Sequence, residues 1–223
     1  VWDLPVRVTH WLMVICFAGA YLTSQEEEPT LLHVTFGYTL VGLMIFRVLW
    51  GLIGSRYVKF TAFVKGPSAV ISYLKSLATK QPEHHIGHNP AGALAIIALL
   101  ALGLGVGFSG FAALHEFCGE WGEDTHELLA NMMLLLVLVH VSAVIFSSLI
   151  HRESLVKSML TGYKRASAKH GIEKNYAVSA IVLIVLVMSF WSYQYFHSAS
   201  GGIDGSALSS EHEGHGESEY DDD

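Results

Sequence analysis

Five stretches of this chain are apolar for long enough to cross a bilayer, and that limits the available folds more than any other feature. They cover residues 9–24, 31–54, 91–114, 127–150 and 176–197. A lipid core offers backbone N–H and C=O groups no partner, so a chain crosses it as helices or as a closed barrel. None of the five alternates polar and apolar residues as a membrane strand does. The expected class is an all-α integral membrane protein: a four-helix transmembrane bundle plus one additional C-terminal transmembrane helix. Composition agrees, because 52% hydrophobic against 15% charged residues is far from a soluble domain or a disordered chain. The first stretch is the shortest, and Trp11 and Tyr21 near its ends suit anchoring at the interfaces.

Charge fixes the expected orientation. With the N-terminus in the cytoplasm, segments 1–8, 55–90 and 151–175 lie inside, and all 13 Lys and Arg fall there or at a helix end facing that side. Of 20 Asp and Glu, only Asp3, Glu83, Glu153 and Glu173 are inside. The positive-inside bias therefore sets the expected orientation, with the N-terminus cytoplasmic and the C-terminal tail on the outer side. Cys16 lies within the first span and Cys118 in an outer loop, so no disulfide is expected. Covalent c-type haem attachment is not indicated, as C-x-x-C-H does not occur. No secretory signal pattern is visible at Val1.

Between the second and third spans, Pro67 opens a stretch with Val70, Ile71, Leu74 and Leu77, flanked by Lys65, Lys75 and Lys80. That pattern predicts an interfacial amphipathic helix. The segments divide as follows: residues 1–165 form the four-helix unit, with the interfacial stretch at about 57–80. Residues 166–197 supply a linker and the fifth helix, and 198–223 an acidic, disordered periplasmic tail without Lys or Arg.

Histidines carry the chemistry. An ionisable side chain inside a membrane span is costly without a partner, so each is a functional candidate. In "HELLANMMLLLVLVH", His126 and His140 stand about 21 Å apart along a helix and within about 40° of each other around it. One stripe thus presents imidazoles at two depths. Because successive helices alternate in direction, His33 near the outer end of the second span should lie level with His126. His10, near the inner end of the first, should lie level with His140. An axial nitrogen from each of two helices can clamp a planar haem, so two facing pairs fit two haems. A four-histidine path for a metal ion is the competing reading, weakened by the distance between the pairs. Glycines Gly37, Gly42 and those in "LGLGVGFSG" would let either a macrocycle or a helix approach closely.

The stretches "VWDLPVRVTHW", "LHVTFGYTLVGLMIFRVLWGLIGSRYVKF", "GHNPAGALAI" and "HELLANMMLLLVLVHVSAVIFSSLIHRESLVKSMLTG" resemble the bacterial di-haem cytochrome b561 family. That family is related to the b-type cytochrome subunits of nickel–iron hydrogenases. The resemblance covers about residues 1–165 and implies a four-helix core with two non-covalent b haems. It further implies electron transfer between the quinone pool and a periplasmic c-type cytochrome or dehydrogenase. Its iron ligands carry over onto His10, His33, His126 and His140, paired His10/His140 inside and His33/His126 outside. The fifth helix and acidic tail lie beyond it.

Arg7, Arg47 and Arg152 are candidate donors to haem propionates, since Arg suits carboxylates, and His151 is a candidate proton-transfer group at an inner quinone site. His88 is a further inner-face candidate, His115 a rival outer ligand, and His212 and His215 a weak metal site in the tail. Two other functions compete. One is a superoxide:quinone oxidoreductase of the same fold, which the acidic outer loops disfavour because superoxide is an anion. The other is a histidine-lined metal-ion transporter.

Overall fold

The computed structural model describes residues 1–24, 30–64, 66–78, 87–117, 119–164, 171–172 and 174–200. The described residues form eight helices: α1 (Leu4–Leu22), α2 (Leu31–Ile53), α3 (Phe60–Phe63), α4 (Pro67–Ala78), α5 (Pro90–Leu114), α6 (Glu120–Ile150), α7 (Leu155–Thr161) and α8 (Ala177–Ser200). Five of them, α1, α2, α5, α6 and α8, are long and apolar enough to cross a membrane. These are the five runs seen in the sequence, with the largest boundary shifts at the starts of α1 and α6.

The first shift is at α1, which begins at Leu4 rather than near residue 9 because Asp3 caps it. The Asp3 Oδ1 accepts the Val6 N–H at 3.1 Å, and Pro5 in the first turn has no N–H to leave unpaired. The other carboxylate oxygen, Oδ2, accepts from Trp50 Nε1–H at 3.1 Å and from the Ser55 N–H at 3.3 Å. One fully buried carboxylate therefore ties the start of α1 to the end of α2. The second shift is at α6, which starts seven residues before the expected span. At 31 residues it is about 46 Å long and overreaches a hydrocarbon core of about 30 Å. The excess carries Glu123 and Asp124, which are exposed.

Helices α1 and α2 pack along each other, as do α5 and α6, and α2 against α5 joins the pairs. Cys16, Leu40, Leu43, Met44, Leu100 and Met133 form the shared core. Gly103 and Gly107 of α5 sit against Met44 and Val41 of α2, so these glycines serve helix packing, whereas Gly37 and Gly42 face open space. Helix α6 has no comparable packing on α1 or α2. The fifth span is not a loose appendage. It lies on α1 and α2, burying Ala180, Leu183 and Val187, and Trp191 Nε1–H donates to Thr39 Oγ1 at 2.9 Å.

The expected interfacial helix is α4, docked on α5 with Tyr73 buried and Ile71 exposed. Lys65 and Lys80 lie outside the described residues, as do the side chains of Leu74 and Leu77, Cys118, and residues 201–223 with His212 and His215, whereas residues 198–200, expected in the tail, continue α8. At the end of α7, Gly162 adopts φ +83°, and the Trp2 N–H donates to its carbonyl at 3.3 Å. A Cβ there would stand 2.9 Å from the Trp2 carbonyl, so this turn requires glycine.

Candidate functional site

The bundle has a basic end, formed by the N-termini of α1 and α5 and the C-termini of α2 and α6, and an acidic end opposite. Near the acidic end, His33 in the first turn of α2 and His126 on α6 face each other. Their ring centroids are 6.1 Å apart and the rings nearly perpendicular, at 86°. Each ring is oriented by a backbone carbonyl. The His33 Nδ1 lies 2.9 Å from the Ala20 carbonyl of α1, and the His126 Nδ1 lies 3.0 Å from the Val106 carbonyl of α5. A carbonyl can only accept, so each Nδ1 carries the proton and each Nε2 keeps a free lone pair. Gly110 makes room for this, since a Cβ there would meet the His126 ring at 2.8 Å. His115, the rival outer residue, is exposed at the end of α5 with Nδ1 on the Phe111 carbonyl, and it stacks on Phe117.

Deeper toward the basic end, His10 of α1 and His140 of α6 are both half-buried. They are close enough that a charge on one is felt at the other. The His10 Nδ1 is buried with no hydrogen-bond partner. Six buried side-chain polar atoms among the described residues lack a partner, and all belong to this half: Arg7 Nε, His10 Nδ1, Trp11 Nε1, Arg47 Nη1, Ser55 Oγ and His88 Nδ1. Such orphans are rare in finished structures. Three of them, Arg7 Nε, Trp11 Nε1 and Arg47 Nη1, can only donate, so what satisfies them must bring acceptor oxygens.

The four basic-end candidates separate. Arg47 is 6% exposed, with Nη2 donating to the Val58 carbonyl at 3.4 Å and its guanidinium over the Phe60 ring. Arg7 donates to the Leu160 carbonyl and so braces α1 against α7. His151 caps the end of α6 and is half-buried, while Arg152, at φ +49°, is exposed. Among the described residues no three His, Cys, Asp or Glu side chains converge into a metal-ion site.

A family model described as prokaryotic cytochrome b561 matches residues 1–162. The chain belongs to that family.

Curated relatives agree. The chain is 28% identical over 142 residues to the probable Ni/Fe-hydrogenase 1 B-type cytochrome subunit of Escherichia coli K12, covering 52% of this chain and 60% of that protein. It is 24% identical over 211 residues to the probable Ni/Fe-hydrogenase B-type cytochrome subunit of Azotobacter vinelandii, covering 74% and 87%. The corresponding protein of Rhizobium leguminosarum bv. viciae is 23% identical over 207 residues, at 73% and 87%. No solved structure matches. As a cytochrome b561, the chain is a multi-pass membrane protein of a b-haem family.

The His33–His126 pair of this cytochrome b561 fits a haem. With metal–imidazole bonds of about 2.0 Å, two rings on opposite faces of one metal have centroids about 6 Å apart. The His33–His126 separation meets that requirement. A porphyrin brings four nitrogens of its own, so two protein donors per site suffice. The basic-end donors suit the carboxylates that a haem carries.

His88 is the residue whose setting the sequence did not reveal. It precedes α5, packed between the rings of Trp2 at 4.4 Å and Phe63 at 4.5 Å. Burial, then the charges of Arg47, Lys164 and His140, push its pKa down to about 3, against a smaller upward pull from a hydrogen bond to the Tyr57 backbone. The folded protein therefore keeps His88 neutral at pH values where the unfolded chain protonates it. Stability falls as pH drops below 6.5, by up to about 1.4 kcal/mol per pH unit from this group. Denaturation midpoints compared at about pH 7 and pH 5 should show this loss in the wild type and a flatter dependence in His88→Asn.

Proposed function

We propose that this cytochrome b561 holds two non-covalent b haems, one between His33 and His126 and the other between His10 and His140. Through them it carries electrons across the bacterial inner membrane between the quinone pool and a periplasmic redox partner, a c-type cytochrome or a dehydrogenase. The carrying observation is the His33–His126 pair: facing imidazoles from two helices, each with Nδ1–H on a carbonyl and Nε2 left to bind a metal. The curated relatives are named as hydrogenase cytochrome subunits, which favours a hydrogenase-like dehydrogenase among the partners.

When bound, the haems supply one-electron chemistry. The chain supplies the rest. Its four imidazoles would hold the haems, and the core around Leu43, Met44 and Met133 excludes water. Arg7 and Arg47 would take the carboxylates at the basic end. By the positive-inside rule the basic end is cytoplasmic and the acidic end periplasmic. His151 and Arg152 stand at the basic rim, where a quinone would exchange its protons.

The test is a reduced-minus-oxidised spectrum with haem quantification on the purified chain, followed by anaerobic mixing with a short-tailed benzoquinol. The expected result is b-type bands, two haems per chain and electron exchange with the quinol. A folded chain that purifies without haem, or with one, would sink the two-haem reading.

A further inference from the structure

Between their basic-end halves, α2 and α8 leave a groove with a cavity volume of about 340 Å³. Phe46, Leu49 and Ile53 line it from α2, and Val178, Val182 and Leu186 from α8. The helices meet above and below it. Toward the acidic end Trp191 donates to Thr39, and at the basic end Tyr176 stands edge-on to Trp50 with ring centroids 5.3 Å apart. The lining residues span about 10 Å of α2 and about 12 Å of α8, so the groove runs along the helix axes, as the chains of a bilayer do. We propose that this groove holds one acyl chain of an anionic phospholipid from the leaflet at the basic end, with the phosphate held by Arg56 and Lys174. The proposal does not rest on the haem reading; it needs only that these helices cross a bilayer.

The lining selects a hydrocarbon chain. Of the lining residues, only Trp50 and Ser179 carry a polar side-chain atom, and the Trp50 indole N–H is already donated to Asp3. A quinone ring brings two carbonyl oxygens and would find a single hydroxyl, whereas an acyl chain has no polar group to satisfy. Lipid tails are as apolar as the groove itself, so a bound chain gains packing contacts and no hydrophobic transfer. Selectivity among lipids therefore falls to the headgroup.

The headgroup end is basic. Arg56 lies just beyond the end of α2 and Lys174 just before the start of α8, and both are exposed. The first turn of α1 brings the two segments together. Asp3 accepts the Ser55 N–H at 3.3 Å, and the Asn175 carbonyl accepts the Leu4 N–H at 3.2 Å. Arg56 and Lys174 are the chain neighbours of those two residues, so both stand at the mouth of the groove. Two cations at one phosphate make charge-assisted hydrogen bonds. A zwitterionic lipid carries the same phosphate, but its ammonium group opposes the pair, so the mouth favours a net negative headgroup. The bound chain would fill the α2–α8 interface where side chains leave it open, fastening the fifth span to the bundle.

The experiment is native mass spectrometry of the purified full-length protein in detergent, titrated with phosphatidylglycerol and separately with phosphatidylcholine of the same acyl chains. The first phosphatidylglycerol adduct should form at a lipid concentration at least about tenfold below that of the first phosphatidylcholine adduct. Arg56→Gln combined with Lys174→Gln should bring the two concentrations together. Val182→Trp, at a lining position that is 51% exposed, fills the groove and should weaken the first phosphatidylglycerol adduct by a similar factor with both cations in place. Equal binding of the two lipids by wild type overturns the proposal, as does a preference that survives the double substitution or a first adduct indifferent to Val182→Trp. Displacement of that adduct by an equimolar long-tailed ubiquinone would give the groove to a quinone tail and overturn it too. Should Val182→Trp fail to fold, the double substitution decides alone.

Discussion

His126→Ala should halve the haem content of the purified protein, removing the acidic-end haem and leaving the basic-end one spectrally intact. The expectation is this sharp because His126 does two things at once. Its ring faces His33 at 6.1 Å between centroids, and its Nδ1 is tied to the Val106 carbonyl of α5. Alanine removes both. His115 is exposed and held by the Phe111 carbonyl, so His115→Ala should keep both haems. His33→Ala should reproduce the loss seen with His126→Ala, since a single imidazole leaves one face of the iron without a protein ligand. The pyridine haemochrome assay and the amplitude of the reduced b-type band measure both. If either variant keeps two haems per chain, the pairing is wrong.

Asp3→Ala should be the most destabilising single change outside the ligands, costing about 3–5 kcal/mol. The carboxylate is fully buried and accepts from three groups: the Val6 N–H, the Trp50 indole and the Ser55 N–H. Removing it strands three buried donors, each carrying a desolvation cost of about 1–3 kcal/mol. It also takes away the negative charge that acts on buried Arg47. Asp3→Asn retains one acceptor oxygen and should lose roughly half as much. Thermal denaturation in detergent, followed by tryptophan emission and by haem release, measures the effect. The basic-end haem should leave first, because Trp50 and Arg47 sit on that end of α2. A variant as stable as wild type would show that α1 and α2 do not depend on this staple.

Much of the architecture could be read from the residues themselves. Apolar length dictated five spans because a bilayer leaves a backbone no choice but helix, and His126 and His140 share a stripe because helical geometry repeats. The start of α1 was placed too late, at residue 9, although Asp3 before Leu-Pro is a local helix-start signal; nothing local shows that its second oxygen reaches Trp50, 47 positions away. The acidic start of α6 was read as loop because charges look like surface. Here they are the surface of a helix that outruns the membrane.

Sequence alone determined that this chain crosses a membrane, which of its ends is positive, and which histidines stand at matching depths, because these follow from hydropathy, charge count and the rise of a helix. The tertiary structure decided what His33 and His126 do with their second nitrogens, how α8 joins the bundle through Trp191 and Thr39, and that the partnerless polar atoms among the described residues gather at one end. Those depend on contacts between residues far apart in the chain, and periodicity along one helix carries no information about what the next helix places against it.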